Sequence, residues 1–337
     1  MNLNPLIIAE IGVNHNGSVS LAKKLVLGAK RAGANAVKFQ YFKAEDLVTK
    51  KAEKALYQKK NTKIKKETQF EMLKKIEFNF EKHLELVKFA KKNKIFFSSS
   101  FFHHEDIKLY KKLKLDFIKI PSGEIDNFLY LNEISKIKDK YIFISTGMAS
   151  LKEIKETLNY LLKKGLKKKK LVLMHCITEY PVDEKNLNLK VLNSFKKKFD
   201  ISIGFSDHSK SFISGGVAIS QGACVIEKHI TLDNKMHGPD HKASLNLKDF
   251  EIYCKNIYST IKILGKSKKL VTQTEKINKK VVRKSLVAKK YIGKGEKFTL
   301  NNLTLKRPGY GLPSKKLNLL LNRKSKKNFK VNDLIVL

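Results

Sequence analysis

Short apolar runs alternate with longer amphipathic stretches from residue 6 to about residue 264. The runs 6–10, 36–40, 95–99, 116–120, 141–145, 171–175, 201–204 and 224–228 are rich in Ile, Val and Phe and hold little internal polarity. That is the composition of strands buried on both faces. Between them, Ser20–Arg31, Glu81–Asn93, Glu105–Leu113, Leu151–Lys164 and Leu187–Phe199 carry helical periodicity. Eight strand–helix units over about 260 residues predict an α/β fold, a (β/α)8 TIM barrel. A doubly wound open sheet is the alternative, but no dinucleotide-type glycine fingerprint follows the first strand.

The pattern changes at Gly265–Asn278, which is polar and lysine-rich and reads as a linker. Short strand-like pieces follow at Ser285–Ala288, Ile292–Glu296 and Leu303–Leu305. The expected division is therefore a barrel at 1–264, a linker at 265–282 and a small β-rich module at 283–337. A module of some 55 residues is near the size at which folding alone becomes marginal, so it is expected to dock on another surface.

The 337 residues are 42% hydrophobic, enough for a sizeable core. Cys176, Cys224 and Cys254 are too few for a disulfide framework, and the first two lie in apolar runs. No signal-peptide pattern opens the chain and no apolar run reaches membrane-spanning length, so a cytoplasmic protein with no membrane partner is expected. The formal net charge of +39 raises the question of nucleic-acid binding. The lysines are scattered along the whole chain, however, and aromatics are not interleaved with them as a stacking platform requires. Solvated lysine-rich faces are expected, and no nucleic-acid partner.

Barrel enzymes carry their chemistry at the C-terminal ends of the strands. Those positions hold Glu10, Lys38 with Gln40, Ser99, Lys119 with Ser122 and Glu124, Ser145, Thr178 with Tyr180, Asp207-His208, and Glu227 with His229. His208 and His229 sit at matching ends of successive strands, where two imidazoles can converge on one divalent metal and leave other positions to water and substrate. Lys38 and Lys119 lie inside apolar strands. Burying an unpaired ammonium is costly, so inward lysines imply an anionic partner, here a phosphorylated or carboxylated substrate. The loop Lys119–Glu124 gathers an ammonium, a hydroxyl and a carboxylate, with Glu124 suited to proton handling.

These segments resemble one family, the sialic acid synthases and their legionaminate and pseudaminate relatives. The resemblance rests on Ile8–Gly17, Val37–Gln40, Lys119–Glu124, Ser145–Met148, Thr178–Pro181, Phe205–His208, Glu227–His229 and Gly238–His241. The tail, Val282–Ser285 through Lys306–Gly309, resembles the family's antifreeze-like (SAF) domain. The match covers nearly the whole chain in the right order.

The resemblance implies condensation of phosphoenolpyruvate with an N-acetylated mannosamine-type sugar, releasing phosphate and forming a nine-carbon sugar acid. Carried over, His208 and His229 hold Mn²⁺ or Mg²⁺, and Lys119, Ser122, Ser206, Ser99 and Thr178 hold phosphoenolpyruvate. Glu10, Lys38, Gln40, Tyr180 and Asp240 line the pocket around the sugar and the reacting centre. Glu10, Lys38 and Lys119 act as catalytic groups beside Glu124, which handles the proton as water attacks. Arg307 reaches the sugar's N-acetyl end from a SAF domain that caps the partner's barrel in a two-fold homodimer.

Three positions depart from the family's usual pattern. Ser98–Phe102 stands where Ser-Thr-Pro-Phe-Asp is common, so Phe102 removes a carboxylate. His237 replaces a small residue, and Thr178 stands where several sialic acid enzymes carry Asn. The acceptor is read as N-acetylmannosamine, giving N-acetylneuraminate. The alternative is 2,4-diacetamido-2,4,6-trideoxymannose, giving N,N′-diacetyllegionaminate. A non-catalytic sugar- or phosphate-binding protein is the more distant alternative.

Overall fold

Eight parallel strands form the centre of the first unit: β1 (Leu6–Gly12), β2 (Ala36–Tyr41), β3 (Phe96–Phe101), β4 (Ile118–Ile120), β5 (Ile142–Ser145), β6 (Leu171–His175), β7 (Ser202–Asp207) and β8 (Val225–Thr231). Each pairs with the next, and β8 returns to β1 through Leu6↔Val225 and Glu10↔His229, which closes the expected barrel. A short β9 (Leu245–Asn246) pairs with the end of β8. The computed structural model describes residues 5–62, 64 and 66–336, in two compact units, Met1–Gly265 and Lys266–Leu337.

Strands β3, β7 and β8 run past the apolar runs, to Phe101, Asp207 and Thr231. The added residues include Ser100, Ser206 and His229, which face the barrel mouth, and polarity there reads as loop. The helix Leu151–Lys163 shows why the intervening segments are helical. Ser150 and Glu153 form a reciprocal capping box, and Ile154, Thr157, Leu158 and Leu161 repeat at helical spacing on the buried face. Three helices, Ala44–Leu47, Leu56–Thr62 and Gln69–Ile76, fill an insertion between β2 and the helix Phe80–Lys92.

Alternation along the strands sorts side chains into two layers. In β1, Ile7, Ala9 and Ile11 join the large core beneath the helices. Leu6 and Ile8 point inside and pack with Ala36, Phe117, Phe143, Val172, Met174 and Val225. Further along the same inward rows come Glu10, Lys38, Ser100, Lys119, Ser206 and Glu227. The barrel interior is thus apolar at the strand starts and polar at the strand ends.

In the second unit, β10 (Ser285–Ala288) pairs antiparallel with β11 (Leu303–Lys306). Leu286, Ala288, Ile292, Phe298, Leu303, Leu320, Phe329 and Ile335 give this unit its own small core. Within the stretch read as a linker, Gln273–Val282 is a helix capped by Thr272 and Glu275, with no buried residue. Local capping chemistry is enough to start it.

Candidate active site

A cavity of about 300 Å³ occupies the C-terminal end of the barrel, a volume suited to small ligands. Its floor carries two crossed ion pairs. Lys38 Nζ lies 2.7 Å from Glu10 and 3.9 Å from Glu227. Lys119 Nζ donates to Glu227 Oε1 at 2.8 Å, and the Ser206 hydroxyl donates to the same oxygen at 2.9 Å. Ser100 accepts from Lys38 at 3.1 Å, and Gln40 donates to Glu10 at 3.4 Å. All four charged residues are at most 4% exposed.

Burial acts differently on the two carboxylates. It raises Glu10 to about 7, against the attraction of Lys38 and with the help of Glu227. For Glu227 burial also pushes upward, but Lys119, Lys38 and the Ser206 hydroxyl outweigh it and hold the group ionised. Lys38 is raised, because Glu10 and Glu227 overcome its own desolvation. Two cationic lysines therefore face one firmly ionised carboxylate and one that is readily protonated. The floor has a positive surplus and favours an anion.

Beside this floor stand the two histidines, their ring centroids 5.5 Å apart and inclined by 64°. His208 Nδ1 donates to the Ile177 carbonyl at 2.6 Å, which fixes the tautomer and leaves Nε2 as the free lone pair, 3.4 Å from the Ser206 hydroxyl. His229 Nδ1 is buried with no hydrogen-bond partner among the described residues. Tyr180 stacks on His208 at 4.2 Å. Burial lowers His208 to about 4 and His229 well below its ordinary value, so both rings are neutral. Neutral imidazoles, one carbonyl-anchored and one with an orphaned ring nitrogen, fit a divalent cation.

Glu10, Lys38, Gln40, Lys119, Ser122, Thr178, Tyr180, Ser206, Asp240, His208 and His229 all line this one cavity. Burial alone lifts Asp240 to about 6. Gly147 makes the serine and threonine converge. Its N–H donates to Ser122 Oγ at 3.1 Å, and a Cβ there would lie 2.3 Å from Thr178 Oγ1.

Three expected residues lie elsewhere. Ser99 is on the outer row of β3, its hydroxyl 3.4 Å from His83 Nε2, and Ser100 takes the inward position. Glu124 ends a short 3-10 turn whose Ser122 and Gly123 line the cavity, but its own carboxylate accepts from Asn127 at 2.7 Å and is not part of the lining. Arg307 belongs to the second unit, where it is exposed and donates to the Val282 carbonyl.

Sequence reading placed Glu227 and Ser145 at strand ends without a role, and it missed Ser100. It also missed the wall from the β2 insertion, where Tyr57, Met72 and Leu73 reach the cavity. A triad of metal-type ligands, Asp46, His103 and Asp106, with atoms within 4.8 Å of one another, was not foreseen either. It lies outside the cavity lining. Lys43 Nζ already sits 3.4 Å from Asp46 and 3.9 Å from Asp106.

A closed (β/α)8 barrel with a charged floor at its strand ends has the architecture of the barrel enzymes. The NeuB family matches residues 25–269 and the SAF domain matches residues 283–336. The chain belongs to the NeuB family, with a C-terminal SAF domain. It is 47% identical to an N,N′-diacetyllegionaminic acid synthase of Campylobacter jejuni, over 98% of both chains. It is 39% identical to the protein of that name from Legionella pneumophila, over 95% of this chain and 90% of that one. Among solved structures, the N-acetylneuraminic acid synthetase of Leptospira borgpetersenii superposes with a TM-score of 0.70 at 29% identity, covering 82% of this chain and 90% of that one.

Proposed function

We propose that the chain is an N,N′-diacetyllegionaminate synthase, condensing phosphoenolpyruvate with 2,4-diacetamido-2,4,6-trideoxymannose and releasing phosphate. The observation that carries this reading is the 47% identity, over 98% of both chains, to a relative of that name. It supports the acceptor that sequence reading placed second, over N-acetylmannosamine.

The floor has groups suited to each part of the reaction. Lys38 and Lys119 are placed to exchange their present carboxylate partners for the anionic oxygens of phosphoenolpyruvate, assisted by Ser122, Ser206, Ser100 and Thr178. His208 and His229 are the residues to hold Mn²⁺ or Mg²⁺. Such an ion, when bound, supplies Lewis-acid polarisation of the sugar aldehyde. The enol carbon attacks that aldehyde, whose oxygen takes up a proton to become a hydroxyl. Water adds to the cationic carbon left behind, and phosphate departs with its C–O bond broken as the added oxygen loses its protons and becomes the keto oxygen. Glu10, poised near neutrality inside the cavity, is the nearer proton carrier for the water step. Glu124, which lies outside the cavity lining, can share that role only by turning toward it. Asp240 and Tyr180 are placed to orient the sugar. Arg307, a homodimer and a cytoplasmic location are proposals resting on the family resemblance.

The test is kcat/KM for the two acceptors at saturating phosphoenolpyruvate, following phosphate release and the nine-carbon acid. A preference for the diacetamido sugar of at least about a hundredfold is expected, since its second acetamido group needs partners the other sugar leaves unpaired. A preference for N-acetylmannosamine sinks the assignment. His208→Ala and His229→Ala should abolish Mn²⁺ binding in calorimetry as well as turnover.

A further inference from the structure

The cavity has a second wall unlike its floor. Val13, Phe42, Met72, Leu73, Ile76 and Phe102 line it from four separate segments: the ends of β1, β2 and β3, and the helix Gln69–Ile76. They form one apolar cluster, in which Phe42 and Phe102 meet edge to face at 6.2 Å. The side-chain amides of Gln58 and Gln69 also line the cavity and bond to each other at 3.4 Å, while Gln40, Ser100 and Glu10 lie two or three residues before Phe42, Phe102 and Val13 on the floor side.

Such a wall has no use for phosphoenolpyruvate, whose charges need the lysines of the floor. It is left to the end of the acceptor remote from the reacting aldehyde. A hydroxyl pressed against it loses water without gaining a partner, whereas a methyl group is favoured there. Resting on the synthase reading above, we infer that this wall, against which Phe102 packs, selects acceptors that carry a methyl group in place of the terminal hydroxymethyl. Phe102 is thus a specificity-determining residue that recognises a 6-deoxy sugar.

The sharpest probe is a pair of sugars differing only at that carbon, N-acetylmannosamine and its 6-deoxy analogue, each with saturating phosphoenolpyruvate. The wild-type enzyme should favour the 6-deoxy sugar by about tenfold or more in kcat/KM. Phe102→Asp, and independently Leu73→Gln on the neighbouring helix, should cut that ratio to about threefold or less while KM for phosphoenolpyruvate stays within about twofold. Equal use of both sugars by the wild type overturns the inference, as does a preference that survives both substitutions. If a variant does not fold, the wild-type ratio decides. Failure of the synthase reading looks different: the wild type then releases no phosphate with either of these sugars or with the diacetamido sugar.

Discussion

Asp207 and Lys228 form an ion pair of 2.9 Å on the outer faces of β7 and β8, and each is the chain neighbour of one cavity histidine. Tyr253 donates to the same Asp207 oxygen at 2.9 Å, and Lys228 donates to the Ser209 carbonyl at 2.6 Å. The pair clamps the two strand ends from behind while His208 and His229 face the cavity. Lys228→Met leaves a buried carboxylate without its cation and should cost about 3–5 kcal/mol in urea unfolding. It should also weaken Mn²⁺ binding about 10–100-fold, because the histidines lose their support. Unchanged metal affinity would confine the pair to stability.

Glu10 and Lys119 should separate in kinetics. Glu10→Gln removes the protonatable carboxyl of the floor and should lower kcat by about 10²–10⁴. Lys119→Ala removes an anion-binding cation and should act chiefly on KM for phosphoenolpyruvate. If Glu10→Gln turns over normally while Glu124→Gln does not, the proton belongs to Glu124.

Gly147→Ala tests the close approach of three strand ends. Its new methyl would lie 2.3 Å from Thr178 Oγ1 and 2.8 Å from Ser122 Oγ, so both hydroxyls must move. A stability loss of about 1–3 kcal/mol is expected, together with a higher KM for phosphoenolpyruvate. A variant with wild-type KM shows that neither hydroxyl touches that substrate.

As pH falls below about 6.5, two buried histidines should destabilise the protein before its exposed carboxylates titrate. His15 stacks on Phe78 at 3.7 Å and accepts from the Gly17 N–H at 3.1 Å, an arrangement that needs the neutral ring. Burial, helped by the nearby His83 and Lys82, lowers His15 from 6.5 to about 3, and burial lowers His83 to about 4. Both folded values lie below the unfolded one, so the unfolded chain takes up protons first as pH falls. Stability is full above about pH 6.5 and declines toward pH 4, by about 2 kcal/mol per histidine between pH 6.5 and 5. Urea unfolding at pH 7 and pH 5 measures this. His15→Gln should flatten the slope, and an unaltered slope excludes His15 as its source.

The barrel was legible because its signals are local. Apolar runs of strand length and capped amphipathic helices recur along the first 264 residues. Lys38 and Lys119 also stood out, since charges inside apolar strands demand a partner. What local pattern could not say was which partner: Lys119 meets Glu227 across 108 residues of sequence, and only closure of the sheet brings them together. Nor could it say which parity of a strand faces inward. Ser98, Ser99 and Ser100 present no polarity contrast, so the choice between Ser99 and Ser100 was made by the register of β3 against its neighbours. The same holds for Glu124, whose direction is set by a turn and a bond to Asn127. The apolar wall was invisible for a related reason, because its residues come from four segments that each read as ordinary core. Sequence by itself determined the elements, their order and the kind of charge in the site. Tertiary structure alone decided which side chains share the cavity, because strand register and barrel closure are long-range properties that a one-residue shift reverses.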